Sequence, residues 1–195
     1  VFLRKIVDCI KETGAIPFLT DANTLYVGTR SDSPHHIATA IRNGFAYPVV
    51  DAPIIIADGL RGKSEAAVTI NQKRFKKVYI GREIVEANSF ISVAHFKGHE
   101  LSGFGGAIKN TGMGCASRKG KLAQHSVLSP KVTAKKCVGC GDCILRCSQR
   151  AIAMVETKAR IHPKKCIGCG ECILICPNQA IAIQWNETVP VFLEK

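Results

Sequence analysis

Apolar and polar residues follow a helical rhythm at the start of this chain. From Val1 to Thr13 apolar residues stand at 2, 3, 6, 7 and 10. That spacing predicts an amphipathic helix, closed at Gly14 by a residue free to turn left-handed. Cys9 is expected on its buried face. Ala15 to Leu19 is a short apolar run that ends in the polar stretch Thr20-Asp21-Ala22-Asn23. Ser33-Pro34 reads as the N-cap and first turn of a second helix, which ends at Asn43-Gly44. Pro53 to Ala57 is a continuous aliphatic run, the mark of a strand buried on both faces. Lys77 to Ile80 predicts a further strand, Arg82 to Ala87 a short helix, and Phe90 to His95 a third apolar strand. This alternation over residues 1–130 predicts an α/β domain with a largely parallel sheet. Ligands of such sheets sit beyond the carboxyl ends of the strands. Two of the predicted ends are polar, Thr20 to Asn23 and His95 to Glu100.

Past residue 130 the chain repeats itself. Lys135-Lys136-Cys137-Val138-Gly139-Cys140-Gly141 is answered by Lys164-Lys165-Cys166-Ile167-Gly168-Cys169-Gly170. Both copies close on Ala-Ile-Ala, at Ala151 and at Ala180, an offset of 180 − 151 = 29 residues. Each copy reads as loop, short helix, strand, so one supersecondary unit is duplicated. The expected division is an α/β domain over 1–130, with a glycine-rich basic segment at 97–130, then a second domain over 131–184. Residues 185–195 would begin a C-terminal continuation. The chain opens at Val1 and stops on the apolar run Val191-Phe192-Leu193, as an excerpt of a longer polypeptide would.

Composition narrows the class. A hydrophobic content of 46% and a charged content of 22% are those of a globular protein. No run approaches the roughly 20 apolar residues that span a bilayer, and no signal peptide is visible. Ten cysteines call for a reducing compartment, so the cytoplasm is expected. Eight of them fall into two C-x2-C-x2-C-x3-C runs: Cys137, Cys140, Cys143 and Cys147, then Cys166, Cys169, Cys172 and Cys176. Neither a zinc ribbon nor a disulfide framework needs the third and fourth cysteine at this spacing. The glycines between the cysteines let the backbone wrap a cluster and aim N–H groups at its sulfurs. Ile144, Leu145, Ile173 and Leu174 would cover it.

With these runs the segment from about Val132 to Ile183 resembles a two-cluster bacterial ferredoxin, an α+β ferredoxin-like domain. The resemblance implies two [4Fe–4S] clusters. Cys137, Cys140 and Cys143 would hold one together with Cys176; Cys166, Cys169 and Cys172 would hold the other together with Cys147. Ser148 departs from the pattern, because the ferredoxins usually place Pro after the fourth cysteine; no ligand is lost.

The stretch His95-Phe96-Lys97-Gly98-His99, then Gly103 to Asn110 and Gly112-Met113-Gly114, is the other unusual piece. Its glycine amides and lysines suit a carboxylate or phosphate cradle, or else form a tight connection into the next helix. The candidate ligand-binding residues are His95, Lys97, His99, Gly105, Gly106, Lys109 and Asn110. The stretch is neither a Walker A loop nor a dinucleotide fingerprint. It resembles the signature of a family of iron–sulfur-centre proteins catalogued as a domain of unknown function. That resemblance spans the whole chain and implies an iron–sulfur protein, without implying a substrate.

The net charge is +12. Lys97 to Lys136 carries eight Lys or Arg residues against one acid, Glu100, so +7 of the +12 falls there. This is either a solvated basic face or a docking surface for an acidic redox partner or a small anionic substrate. It lacks the interleaved aromatics of a nucleic-acid groove. Three functions are open on these grounds. The first is electron transfer, to a partner or to a substrate on the α/β domain. The second is an iron–sulfur oxidoreductase with its reaction site at the glycine-rich strand end. The third is an iron–sulfur sensor or structural module.

Overall fold

The computed structural model describes residues 2–73, 75–99, 103–125 and 129–184. Helix α1 (Phe2–Glu12) takes the predicted course and ends before Gly14, whose φ is +80°. Val7 is buried and packs with Leu3, Leu19, Val50 and Ala52. Arg4 pairs with Asp8 one turn on, at 2.7 Å, and Lys11 reaches Asp51 at 2.7 Å. Cys9 is exposed, contrary to its expected burial. It stands two residues from Val7, about 200° around the helix, and cannot share that face.

Strand β1 (Leu19–Asp21) leads to helix α2 (Ser33–Ala40). The cap of α2 is Asp32 and not Ser33. Asp32 accepts from the His35 N–H at 3.1 Å, whereas Ser33 Oγ donates to Gly59 O at 2.8 Å. A π turn (Ile41–Phe45) and helix α3 (Tyr47–Val50) bring the chain to β2 (Ile54–Ile56). Strands β1 and β2 pair in parallel, with Leu19 beside Ile54 and Asp21 beside Ile56. Ile55 is exposed, so β2 is not covered on both faces.

The largely parallel sheet is not found. Strands β3 (Glu65–Thr69) and β4 (Lys77–Gly81) form an antiparallel hairpin, followed by helix α4 (Arg82–Glu86). Phe90 to His95 forms no strand, and Phe90, Ile91 and Val93 are exposed. Instead β5 (Lys97–His99) pairs antiparallel with β6 (Gly103–Gly105). Helix α5 (Ala107–Lys109), a π turn (Asn110–Gly114) and helix α6 (Arg118–His125) complete this half. Every sheet among the described residues has two strands. An apolar run becomes a strand only where a neighbour takes its N–H and C=O groups. Residues 90–95 have no such neighbour among the described residues, whereas β3, with Glu65 and two alanines, has β4.

The repeated half is β7 (Lys131–Val132), α7 (Asp142–Arg146), β8 (Ile152–Val155), β9 (Lys158–Ile161), α8 (Glu171–Ile175) and β10 (Ile181–Ala182). The predicted order of loop, short helix and strand occurs twice. Strands β8 and β9 form a hairpin, and β7 pairs antiparallel with β10, which closes the segment's two ends on each other. Cys137, Cys143, Ile152, Ile173 and Ile181 share one core, and Leu25 and Leu122 of the first half belong to it. No helix among the described residues is long and apolar enough to cross a membrane.

Candidate metal centre

Each cysteine run is a loop that turns into a short helix. Gly139, Gly141, Gly168 and Gly170 hold φ between +71° and +83°. A Cβ on Gly139 would stand 2.6 Å from Thr157 O, so this loop closes only on glycine. A cavity opens among Cys137, Cys140 and Cys143 of the first run and Cys176 of the second. Val138, Met154, Ala159 and Ile181 supply apolar walls. The remaining sulfurs form a second group. Cys169 and Cys147 act on the charge of Cys166, and Cys172 is acted on by Cys169, Cys166, Cys143 and Cys147.

Burial pushes the Cys143, Cys166 and Cys172 thiols up, and the neighbouring sulfurs push them further. Backbone donors work the other way at Cys137, held below the usual thiol range by the N–H of Ala159 and then of Gly139. Ala151 N–H donates to Cys147 Sγ at 3.2 Å, and Ala180 N–H to Cys176 Sγ at 3.2 Å. These alanines are equivalent positions of the repeat. Thiolates crowded this closely need positive charge between them. Four of the sulfurs, from Cys137, Cys140, Cys143 and Cys176, line one space, as the ligands of a cluster do. The residues present fit a [4Fe–4S] group.

Comparison with known protein families gives two matches. Residues 159–182 match the 4Fe-4S binding domain, and residues 1–167 match the domain of unknown function DUF362. The chain belongs to the DUF362 family. The DUF362 match runs through the first cysteine run, and the 4Fe-4S match covers the second. The chain is an iron–sulfur protein. No curated protein and no solved structure matches it.

The two halves of this DUF362 chain meet at the second run. Arg118, 1% exposed, donates to the backbone oxygens of Arg61 and Ser31. Its Nη1 lies 3.7 Å from Glu171 Oε2, and Arg61 and Lys63 reach the same carboxylate at 3.3 and 3.1 Å. Glu171 is buried within the second run, between Cys169 and Cys172, with Cys169 close enough to act on Arg118. Neither Arg118 nor Glu171 stood out in the sequence. Arg118 counted there as part of a basic run, and Glu171 only as a position of the repeat.

The glycine-rich residues are gathered in part. Lys97 stands opposite Gly105, and a Cβ on Gly105 would meet Lys109 Cδ at 3.4 Å and Lys97 Cγ at 3.8 Å. Burial, then the charge of Lys97, lowers the Lys109 pKa. Gly106 follows and is buried, its oxygen accepting from Asn110 N–H at 2.9 Å. The Asn110 side chain turns to Val93 O at 3.2 Å. His99 pairs with Gly103, and His95 is exposed outside any strand. The basic run after it is not a solvated face. Arg118 and Lys121 are 1% and 6% exposed, and Lys119 lies 3.6 Å over the Tyr79 ring.

The far end of the glycine-rich segment reaches the carboxyl edge of β1 and β2. Lys121 Nζ donates to Ala116 O at 2.6 Å and to Gly114 O at 3.4 Å. Asp58 Oδ1 accepts from Asn23 N and Nδ2, both at 2.9 Å, and His36 Nε2 lies 3.4 Å from Asp21 Oδ2. Asp58 Oδ2 and His36 Nδ1 are buried without a hydrogen-bond partner among the described residues. Burial lowers the Lys121 pKa to about 8, against the pull of Asp58, Asp21 and Cys115 and with the push of Arg118. Burial also raises Asp58. The sequence flagged Asp21 and Asn23 as a polar strand end. It left out Asp58, His36 and Lys121, which arrive from three other elements.

Proposed function

We propose that this DUF362 chain is an electron-transfer protein with two [4Fe–4S] clusters held by residues 131–184 against an α/β domain of residues 1–130. The observation that carries the reading is the cavity bounded by Cys137, Cys140, Cys143 and Cys176, three residues of one run and the last of the other. Cys166, Cys169 and Cys172 with Cys147 would hold the second cluster. When bound, the clusters supply reversible one-electron chemistry. The chain's own residues set its conditions. The N–H groups of Ala151, Ala159 and Ala180 stabilise negative charge on sulfur. Ile152, Ile173 and Ile181 exclude water, and Arg118 lends positive charge to the second run. Such a centre belongs in the cytoplasm, passing electrons to a partner or to a substrate on the α/β domain.

Chain purified without oxygen should carry about eight irons. Cys147→Ser should damage the centre of Cys166, Cys169 and Cys172 and leave the other intact, as read by electron paramagnetic resonance. Zinc in place of iron, or loss of the first centre instead, would sink this reading.

A second reading, an iron–sulfur oxidoreductase, has its reaction site at the glycine-rich strand end, where Lys97 and Lys109 converge on Gly105. There Lys97, Lys109, Gly105 and Gly106 would contact a substrate anion. Lys109→Ala should then weaken inorganic phosphate binding about ten- to a hundredfold, with iron content unchanged. Equal phosphate affinity in both proteins would remove that contact.

A further inference from the structure

The charge between Lys97 and Lys136 cannot all serve docking, because Arg118 and Lys121 are turned inward. Lys131 of that stretch joins two cations of β9 beside the first cysteine cavity. A groove of about 540 Å³ runs along β7 and β9, lined by Lys131, Lys158, Arg160, Val155, Glu156 and Gln184 among others. Three cations there face one acid. None of the three has a carboxylate partner among the described residues, and Lys158 Nζ donates to Cys137 O at 2.6 Å. Ala159 lines both this groove and the cavity of Cys137, Cys140, Cys143 and Cys176. Its N–H points at Cys137 Sγ, 3.5 Å away. The groove wall is thus one hydrogen bond from a sulfur.

We propose that this groove docks an acidic one-electron carrier protein, and that electrons enter the chain there, across β9 to Cys137. The proposal rests on the electron-transfer reading and adds the partner's charge and the point of entry. Its chemistry is a single transfer. The reduced carrier loses one electron, the iron–sulfur group ligated by Cys137 gains it, and no bond is made or broken. Charge complementarity selects the occupant. Transient electron-transfer contacts are small, and opposite charges steer them.

The test is stopped-flow reduction of the iron-loaded chain by two donors, a reduced acidic ferredoxin and the methyl viologen radical. Lys131→Glu/Arg160→Glu should slow the ferredoxin reaction at low salt by about tenfold or more and flatten its salt dependence. The viologen reaction and the iron content should stay as in the unaltered chain. Lys5→Glu/Lys73→Glu, at two exposed positions outside the groove lining, serves as the control for the same change of charge. The proposal is overturned if the groove variant reacts with ferredoxin at the unaltered rate, or if Lys5→Glu/Lys73→Glu slows it equally. It is also overturned if removal of residues 185–195 accelerates the ferredoxin reaction several-fold, which would make that segment the groove's occupant. Should neither donor reduce the chain, the electron-transfer reading itself fails.

Discussion

Lys121 shows how far a residue's role depends on what surrounds it. In the sequence it is one of several lysines in a basic run. In the fold its ammonium group is enclosed, with Asp58, Asp21, Cys115 and Arg118 around it and its pKa lowered to about 8. A lysine depressed in the folded state binds fewer protons there than in the unfolded chain, where its pKa is 10.5. The cost of burying its charge is therefore full below pH 8 and is relieved as pH rises from about 8 to 10.5. Lys121→Met, which carries no charge to bury, should lack this gain. Urea unfolding of both proteins should show the unaltered chain gaining on the variant across that window, by up to about 3 kcal/mol. A pH-independent difference would mean that Lys121 titrates as an ordinary lysine. The composition of the run signals none of this, because the enclosing groups come from β1, the turn after β2 and the glycine-rich segment.

The elements were legible where a local signal and a local partner coincide. Helix α1, helix α4 and the loop–helix–strand order of both cysteine units follow from apolar spacing and glycine placement. Residues 90–95 were expected as a strand and form none, and β3 went unpredicted, since strand identity is settled by the neighbouring strand. The glycines of the runs separate two kinds of constraint. Gly141 has φ +83° and nothing within 4 Å of an added Cβ, whereas at Gly170, φ +71°, the Cβ would stand 2.9 Å from Leu25 Cδ1 and 3.2 Å from Arg118 Cδ. Gly141→Ala should cost the left-handed penalty alone, about 1–2 kcal/mol. Gly170→Ala should cost that and roughly 1–3 kcal/mol more from overpacking. Thermal unfolding of the two variants gives the comparison; equal losses would mean that the halves do not pack tightly at Gly170.

At the scale of the whole molecule, the second cysteine run is tied to the first half through Arg118 and Glu171, while Cys140 of the first run is exposed. Arg118→Gln would leave the oxygens of Arg61 and Ser31 short of their charged donor and remove one of the three cations at Glu171. Breaking a buried pair of this kind costs about 3–5 kcal/mol. Loss of a nearby positive charge also disfavours an added electron. On the two-cluster proposal, the reduction potential of the second-run centre should become more negative in Arg118→Gln, with the first-run centre unmoved in a spectroelectrochemical titration. Equal shifts at both centres would assign Arg118 a general structural role. The sequence by itself determined the duplicated unit, the eight cysteines and the glycines that let their loops close. Ligand spacing within a loop is a local property, set by a few consecutive residues. Only the tertiary structure decided which sulfurs face one cavity, which cations are enclosed and which stand free beside β9, and how few strands pair in parallel. Those outcomes depend on contacts between residues far apart in the chain, and no local rhythm of apolar and polar positions carries them.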